Sequence, residues 1–141
     1  MAIHHSGNDG MKDLKEIEYH HMVKNRYDDV GCHFLIHPTG TIYEGREIVY
    51  KGSHVQNANS GKIGILMMGD FDHQWWDIDD DLSNTNLNAL NKLITTLQTF
   101  FPIRYLGGHK EYLPNQGYSC PGSEIMAKID GLRGKYGFVK P

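Results

Sequence analysis

Three residues have side chains suited to a metal centre and fall where the chain passes from a strand into a loop: His4, His109 and Cys120. His4 follows the short apolar start Ala2-Ile3, and His109 follows Ile103-Arg104-Tyr105-Leu106 and two glycines. Cys120 lies eleven residues later, in Tyr118-Ser119-Cys120-Pro121-Gly122. In α/β sheets, strand ends are where ligands and reactive groups collect. Two imidazoles and one thiolate are borderline ligands that suit Zn2+, and a three-ligand set leaves a position open for water, as catalytic sites do. The spacing is neither CxxC…CxxC nor HExxH. Spacing alone therefore leaves a second reading open, two loop histidines and a buried thiol.

The elements that must position these residues are visible as periodicities. Residues 11–26 predict an amphipathic helix, with Met11, Leu14, Ile17 and His21-Met22 at spacings of three and four. Val30 to Ile36 reads as a strand, and Pro38-Thr39-Gly40 turns the chain back into Thr41-Ile42-Tyr43-Glu44 as a hairpin. Ile63 to Met68 is apolar on both faces and predicts a central strand. Residues 84–101 predict the strongest helix, capped by Ser83 or Asn84 and ended by Pro102. Ile103 to Leu106 predicts a last short strand, and a final helix from about Ser123 turns Ile125, Ile129 and Leu132 inward. The fold class is α/β, a mixed central β-sheet with helices on both faces. The polar run from His4 to Gly10 leaves only Ala2 and Ile3 for a first strand, which is marginal. This favours a single domain over residues 1–141 excised from a longer polypeptide.

Composition narrows the function classes. The 141 residues suit one domain, and 39% hydrophobic with 22% charged residues can bury a core without a disulfide framework. Fourteen Lys+Arg against seventeen Asp+Glu give a formal charge of −3, which argues against binding a nucleic-acid backbone. No stretch approaches 18 apolar residues, so no membrane span is expected. Met1-Ala2-Ile3-His4-His5 has neither part of a signal peptide.

Taken in order, the motifs resemble the zinc-dependent N-acetylmuramoyl-L-alanine amidase family, which includes phage amidase-type lysozymes and peptidoglycan recognition proteins. Ile3-His4-His5-Ser6 resembles its opening zinc motif, and Tyr27-Asp28-Asp29-Val30-Gly31-Cys32-His33-Phe34-Leu35-Ile36 resembles its W-x-D-I-G-Y-H-F-L-I strand. Gly40 to Arg46, Gly52-Ser53-His54, Ile63-Gly64-Ile65 and Gly69-Asp70-Phe71 continue the likeness. Gly108-His109 and Cys120-Pro121-Gly122 resemble the second and third zinc motifs, so that the match runs from Ile3 to about Ala127. The resemblance implies Zn2+ held by His4, His109 and Cys120. It also implies hydrolysis of the amide between N-acetylmuramic acid and L-alanine, with stem peptide and glycan as partners. Zinc would supply the nucleophile by lowering the pKa of bound water to about 7, and a neighbouring donor would help the developing oxyanion.

That donor is where the chain departs from the resemblance. The family's strand tyrosine is here Cys32, and two residues before the cysteine ligand, where Lys or Thr is common, stands Tyr118. We expect Tyr118 to take over as donor, against the alternative of a loop aromatic packed on the core. Cys32 is counted with His54 and Arg46 as a substrate contact, and its thiol admits three readings: a small buried residue, a fourth ligand approaching the zinc, or a redox partner of Cys120. His54 is expected to line the groove, as a substrate hydrogen-bond partner or an acid/base group. Glu44 is the nearest candidate for a general base, with a surface carboxylate the alternative. Arg46 is expected to pair with a stem-peptide carboxylate, with a structural ion pair the alternative. His5, His20, His21, His33, His37 and His73 are read as structural or surface residues.

Residues 70–81 hold six aspartates around Trp75-Trp76. Asp77-x-Asp79-x-Asp81 has the spacing of a calcium loop, but Leu82 and Asn88 stand where Gly and Glu are needed. The acids would instead favour the start of the next helix, and the Trp pair would pack at the core edge or meet a glycan or protein partner. The competing function is a non-catalytic or weakly catalytic muropeptide-binding module, favoured by the loss of the strand tyrosine. A third class is a protein whose partner occupies the groove for regulation. Either way the site of action expected is the bacterial cell wall, for a monomer delivered by upstream sequence, a secretion system or phage lysis. An injected effector would require an inhibitory immunity protein in its producer.

Overall fold

Five strands form one sheet: β1 (Ala2–His5), β2 (Phe34–Ile36), β3 (Ile42–Glu44), β4 (Gly64–Met67) and β5 (Gly107–Gly108). Their spatial order is β3-β2-β4-β1-β5, parallel throughout except for the antiparallel β2–β3 hairpin. The structure is a computed structural model that describes residues 1–7, 11, 13–73, 80–116 and 118–141. The Trp75-Trp76 pair, Asp77 and Asp79 lie outside the described residues.

β1 is longer than its composition suggested. His4 and His5, expected in a loop, stay in the strand and pair with Leu66 and Met67. Ladder pairing with β4 runs the full length of β1 and offsets its polar content, while β5 pairs only with Ala2 and Ile3. The register then sorts side chains by face. His4, Leu66, Leu35 and Tyr43 share one face, and Ile3, Ile65, Phe34 and Glu44 share the other.

The Ile3 face carries the larger core. Leu90, Leu93, Ile94 and Leu97 of α2 (Asn84–Phe100) and Ile125, Ile129 and Leu132 of α4 (Ser123–Tyr136) pack there with Ile36, Met67 and Phe71. Ser83 caps α2, its Oγ accepting the Asn86 N–H at 3.1 Å. Ser83→Ala is expected to cost about 1 kcal/mol, read as a lower urea midpoint at unchanged slope.

The His4 face is covered by α1 (Leu14–Glu18), whose Ile17 packs with Val30, Cys32, Leu35, Leu66 and Met68. The α-helix expected over 11–26 gives way after Glu18 to a π-helical stretch, Tyr19–Lys24, in which Asn25 N–H reaches the His20 carbonyl five residues back. The longer repeat moves the apolar stripe off the core and leaves Met22 exposed.

Two predicted strands are shortened or displaced. Residues 30–33 precede β2 as irregular chain, and the Gly31 carbonyl accepts the N–H of Ser53 at 2.9 Å, a loop partner in place of a strand ladder. The last strand is Gly107–Gly108, not Ile103 to Leu106. At Gly108 a Cβ would lie 2.6 Å from Cδ of the rigid Pro121 ring, so glycine is what lets β5 pair with β1 there.

Candidate metal centre

The sheet brings the three expected ligands together from opposite ends of the chain. His4 rises from β1, and His109 opens α3 (His109–Tyr112) directly after β5. Cys120 lies in the loop before α4, where its carbonyl accepts the Lys110 N–H at 3.0 Å. Candidate ligand atoms of the three residues all lie within 4.8 Å of one another. The His4 and His109 ring centroids are 4.6 Å apart, and Cys120 Sγ is 3.7 Å from His4 Nδ1. His5, next in sequence, points to the opposite face toward Asp70, as strand alternation requires.

The electrostatics suit a cation. Burial, then the neighbouring His54 and His109, hold the His4 imidazole well below its ordinary pKa, and burial lowers that of His109 as well. Both rings are therefore neutral near pH 7, the form that offers a lone pair. Burial pushes the Cys120 thiol up to about 12, opposed by a hydrogen bond from the His5 backbone. His109 Nε2 is buried without a hydrogen-bond partner. Such an orphaned nitrogen, with a second neutral imidazole and a thiol beside it, fits Zn2+.

The strand-to-helix junction that carries His109 is fixed by residues the sequence did not single out. Glu111 Oε2 accepts the Gly108 N–H at 3.0 Å and pairs with the Arg133 guanidinium, whose Nε donates to the Leu106 carbonyl at 2.9 Å. Arg133 and Glu111 are 22 residues apart, so no local pattern links them.

The other expected site residues divide. Tyr118 does stand beside the centre, its ring stacked on His109 at 4.9 Å and 18°. It is 38% exposed, and its hydroxyl makes no hydrogen bond among the described residues. His54 faces the centre from behind: its Nδ1 is 3.0 Å from His4 Nε2 and its Nε2 is buried. It therefore does not line an open groove as expected, because both ring nitrogens are turned into the protein.

Three expectations are corrected. Glu44 cannot be a general base at this centre, because the register puts it with Phe34 and Ile3 on the opposite face of the sheet. Arg46 is 9% exposed, and its guanidinium donates to the carbonyls of Val30, Lys51 and Asp29. It ties loops together, and its burial keeps it from a substrate carboxylate. Cys32 is 3% exposed in the apolar cluster under α1, so it is not a substrate contact. It is a free thiol outside the three-residue ligand group, raised in pKa first by burial and then by Cys120.

Comparison with known proteins agrees with this architecture. The family described as N-acetylmuramoyl-L-alanine amidase matches residues 1–123. The endolysin of Escherichia phage T7 is 30% identical over 97 residues, 69% of this chain and 62% of its own. Peptidoglycan-recognition protein SC2 of Drosophila simulans is 30% identical over 119 residues, 82% of this chain and 60% of its own. The chain thus spans about three fifths of these relatives. Among solved structures, Drosophila PGRP-LB superposes with a TM-score of 0.78 at 26% identity, covering 98% of this chain and 81% of that one. The Clostridium intestinale endolysin amidase LysCS shares the fold, with a TM-score of 0.79 at 24% identity over 98% of this chain and 82% of its own. A family match that takes in β1, the hairpin, α2, His4, His109 and Cys120 leaves only the C-terminal eighteen residues outside it, and the chain belongs to the N-acetylmuramoyl-L-alanine amidase family.

Proposed function

We propose that this chain is a zinc-dependent hydrolase that cuts the amide between N-acetylmuramic acid and L-alanine in bacterial peptidoglycan. The observation that carries the proposal is the convergence of His4, His109 and Cys120 on one point. Bound there, zinc would lower the pKa of water to about 7 and polarise the scissile carbonyl. The protein's part is to hold two neutral imidazoles and a thiol in place, and to meet charge as it develops on the carbonyl oxygen. Tyr118 is the donor for that charge. Its phenol is solvent-reachable and held flat on His109, whereas Cys32, at the position of the family's strand tyrosine, is sealed in the core. No helix among the described residues is long and apolar enough to cross a membrane. Action at the bacterial cell wall follows from the proposed substrate.

The direct test incubates purified sacculi with the protein and counts new L-alanine amino termini. Release that chelation stops and zinc restores is expected; no release from a zinc-loaded protein would favour the muropeptide-binding reading, which the buried Cys32 supports. Tyr118→Phe is expected to lower kcat by about 10²–10³-fold at unchanged zinc content, the usual cost of one oxyanion donor. Full turnover in that variant would assign Tyr118 to packing alone.

A further inference from the structure

We infer that His54 is a positioning residue that fixes the tautomer and rotation of His4, so that His4 presents Nδ1 to the metal. The inference rests on the zinc reading above and adds a residue behind the ligand shell. His4 Nε2 and His54 Nδ1 are 3.0 Å apart, so one of the two nitrogens carries the shared proton. Were it His54 Nδ1, neutral His4 would be protonated at Nδ1, the atom that faces Cys120 Sγ at 3.7 Å, and its lone pair would point away from the ligand group. With the proton on His4 Nε2, Nδ1 is free and faces that group. His54 then keeps its own proton on Nε2, which is buried without a hydrogen-bond partner among the described residues. This arrangement alone turns the free lone pair of His4 toward Cys120.

The fold is shaped to hold the His54 ring there. A Cβ at Gly52 would fall 2.4 Å from His54 Cδ2, and one at Gly64 would fall 2.6 Å from it. Both positions are glycine, and Gly64 is the point on β4 where a side chain would otherwise fill the ring's seat on the His4 face. The loop is clamped by Asn59 Oδ1, which accepts the N–H of His54 at 2.8 Å and that of Val55 at 2.7 Å. His33 lies edge-on to His54 at 5.7 Å but does not compete for it. Its Nδ1 accepts the Gly64 N–H, and its Nε2 donates to the Tyr50 carbonyl, each at 3.0 Å. A group that holds the second nitrogen of a ligating histidine orients the ring and raises its basicity, and its loss typically weakens metal binding 10–100-fold.

The test measures zinc dissociation constants by chelator competition on the full chain, for wild type, His54→Phe and His54→Asn. His54→Phe keeps the ring shape without the acceptor and is expected to weaken zinc about 10–100-fold. His54→Asn puts an amide oxygen near the position of Nδ1 and is expected to recover most of that loss. Nitrogen NMR of zinc-loaded wild type, which needs no variant, should show His4 protonated at Nε2 and coordinated at Nδ1. Undiminished affinity in folded His54→Phe, or coordination through Nε2, overturns this inference alone. Failure of wild type to bind zinc overturns the proposed function with it.

Discussion

Replacing Cys120 by serine is expected to give a folded domain that releases no new L-alanine termini and gains no stability from zinc. Serine keeps the shape but offers a hard, protonated oxygen where a thiolate is needed. In wild type, zinc at a hundred times its dissociation constant should stabilise the fold by about 2.7 kcal/mol. For a domain of this size that raises Tm by roughly 10 °C. The sign of the pH dependence follows from the thiol. Burial holds Cys120 at about 12, so near neutrality it is protonated before zinc arrives and must lose that proton on binding. His4 and His109 are already neutral there and release none. Apparent affinity should therefore rise about tenfold from pH 7 to pH 8, a slope that isothermal titration in two buffers of different ionisation enthalpy would read as one proton released. A flat profile would remove Cys120 from the ligand set.

The three candidate ligands could be picked out in the sequence because residue type and motif order single them out, while their surroundings could not. Helix α2 and its Ser83 cap, the β2–β3 hairpin, the central strand and α4 were readable from local periodicity and turn chemistry. What periodicity cannot report is which neighbour a strand will have. β1 looked too polar to continue past Ile3, and its pairing with Leu66 and Met67 of β4 is what keeps His4 and His5 inside the strand. Glu44 looked like a general base because it is an acid near the likeness motifs, yet a period of two and the pairing register put it on the far face. Arg46 has the right charge for a carboxylate, but three backbone carbonyls converge on it. The Gly52 and Gly64 seats beneath His54 are a subtler case. Each glycine reads as a turn or strand weakener until the ring that occupies the missing Cβ volume is known.

The other large expected effect concerns a pair of charges that touches no ligand. Arg133→Met is expected to destabilise the domain by about 3–5 kcal/mol, measured by chemical denaturation without metal. Arg133 and Glu111 are both nearly buried, at 9% side-chain exposure each. The guanidinium also donates to Leu106, the residue before β5. Removing it leaves the Glu111 carboxylate sequestered, with Lys140 at 3.5 Å as its remaining cation. Asp130, the third partner, has a side chain 92% exposed, so Asp130→Ala should cost less than about 1 kcal/mol. That contrast separates the buried pair from the solvated one. Arg133→Met with Glu111→Gln should recover part of the loss, because the cost lies in an unpaired buried charge more than in a missing attraction. Zinc affinity should fall with the single variant as well, since Glu111 holds the Gly108 N–H one residue before His109 and sets where α3 begins. A loss below about 1 kcal/mol would mean that water reaches Glu111, and that backbone bonds alone hold the junction carrying His109.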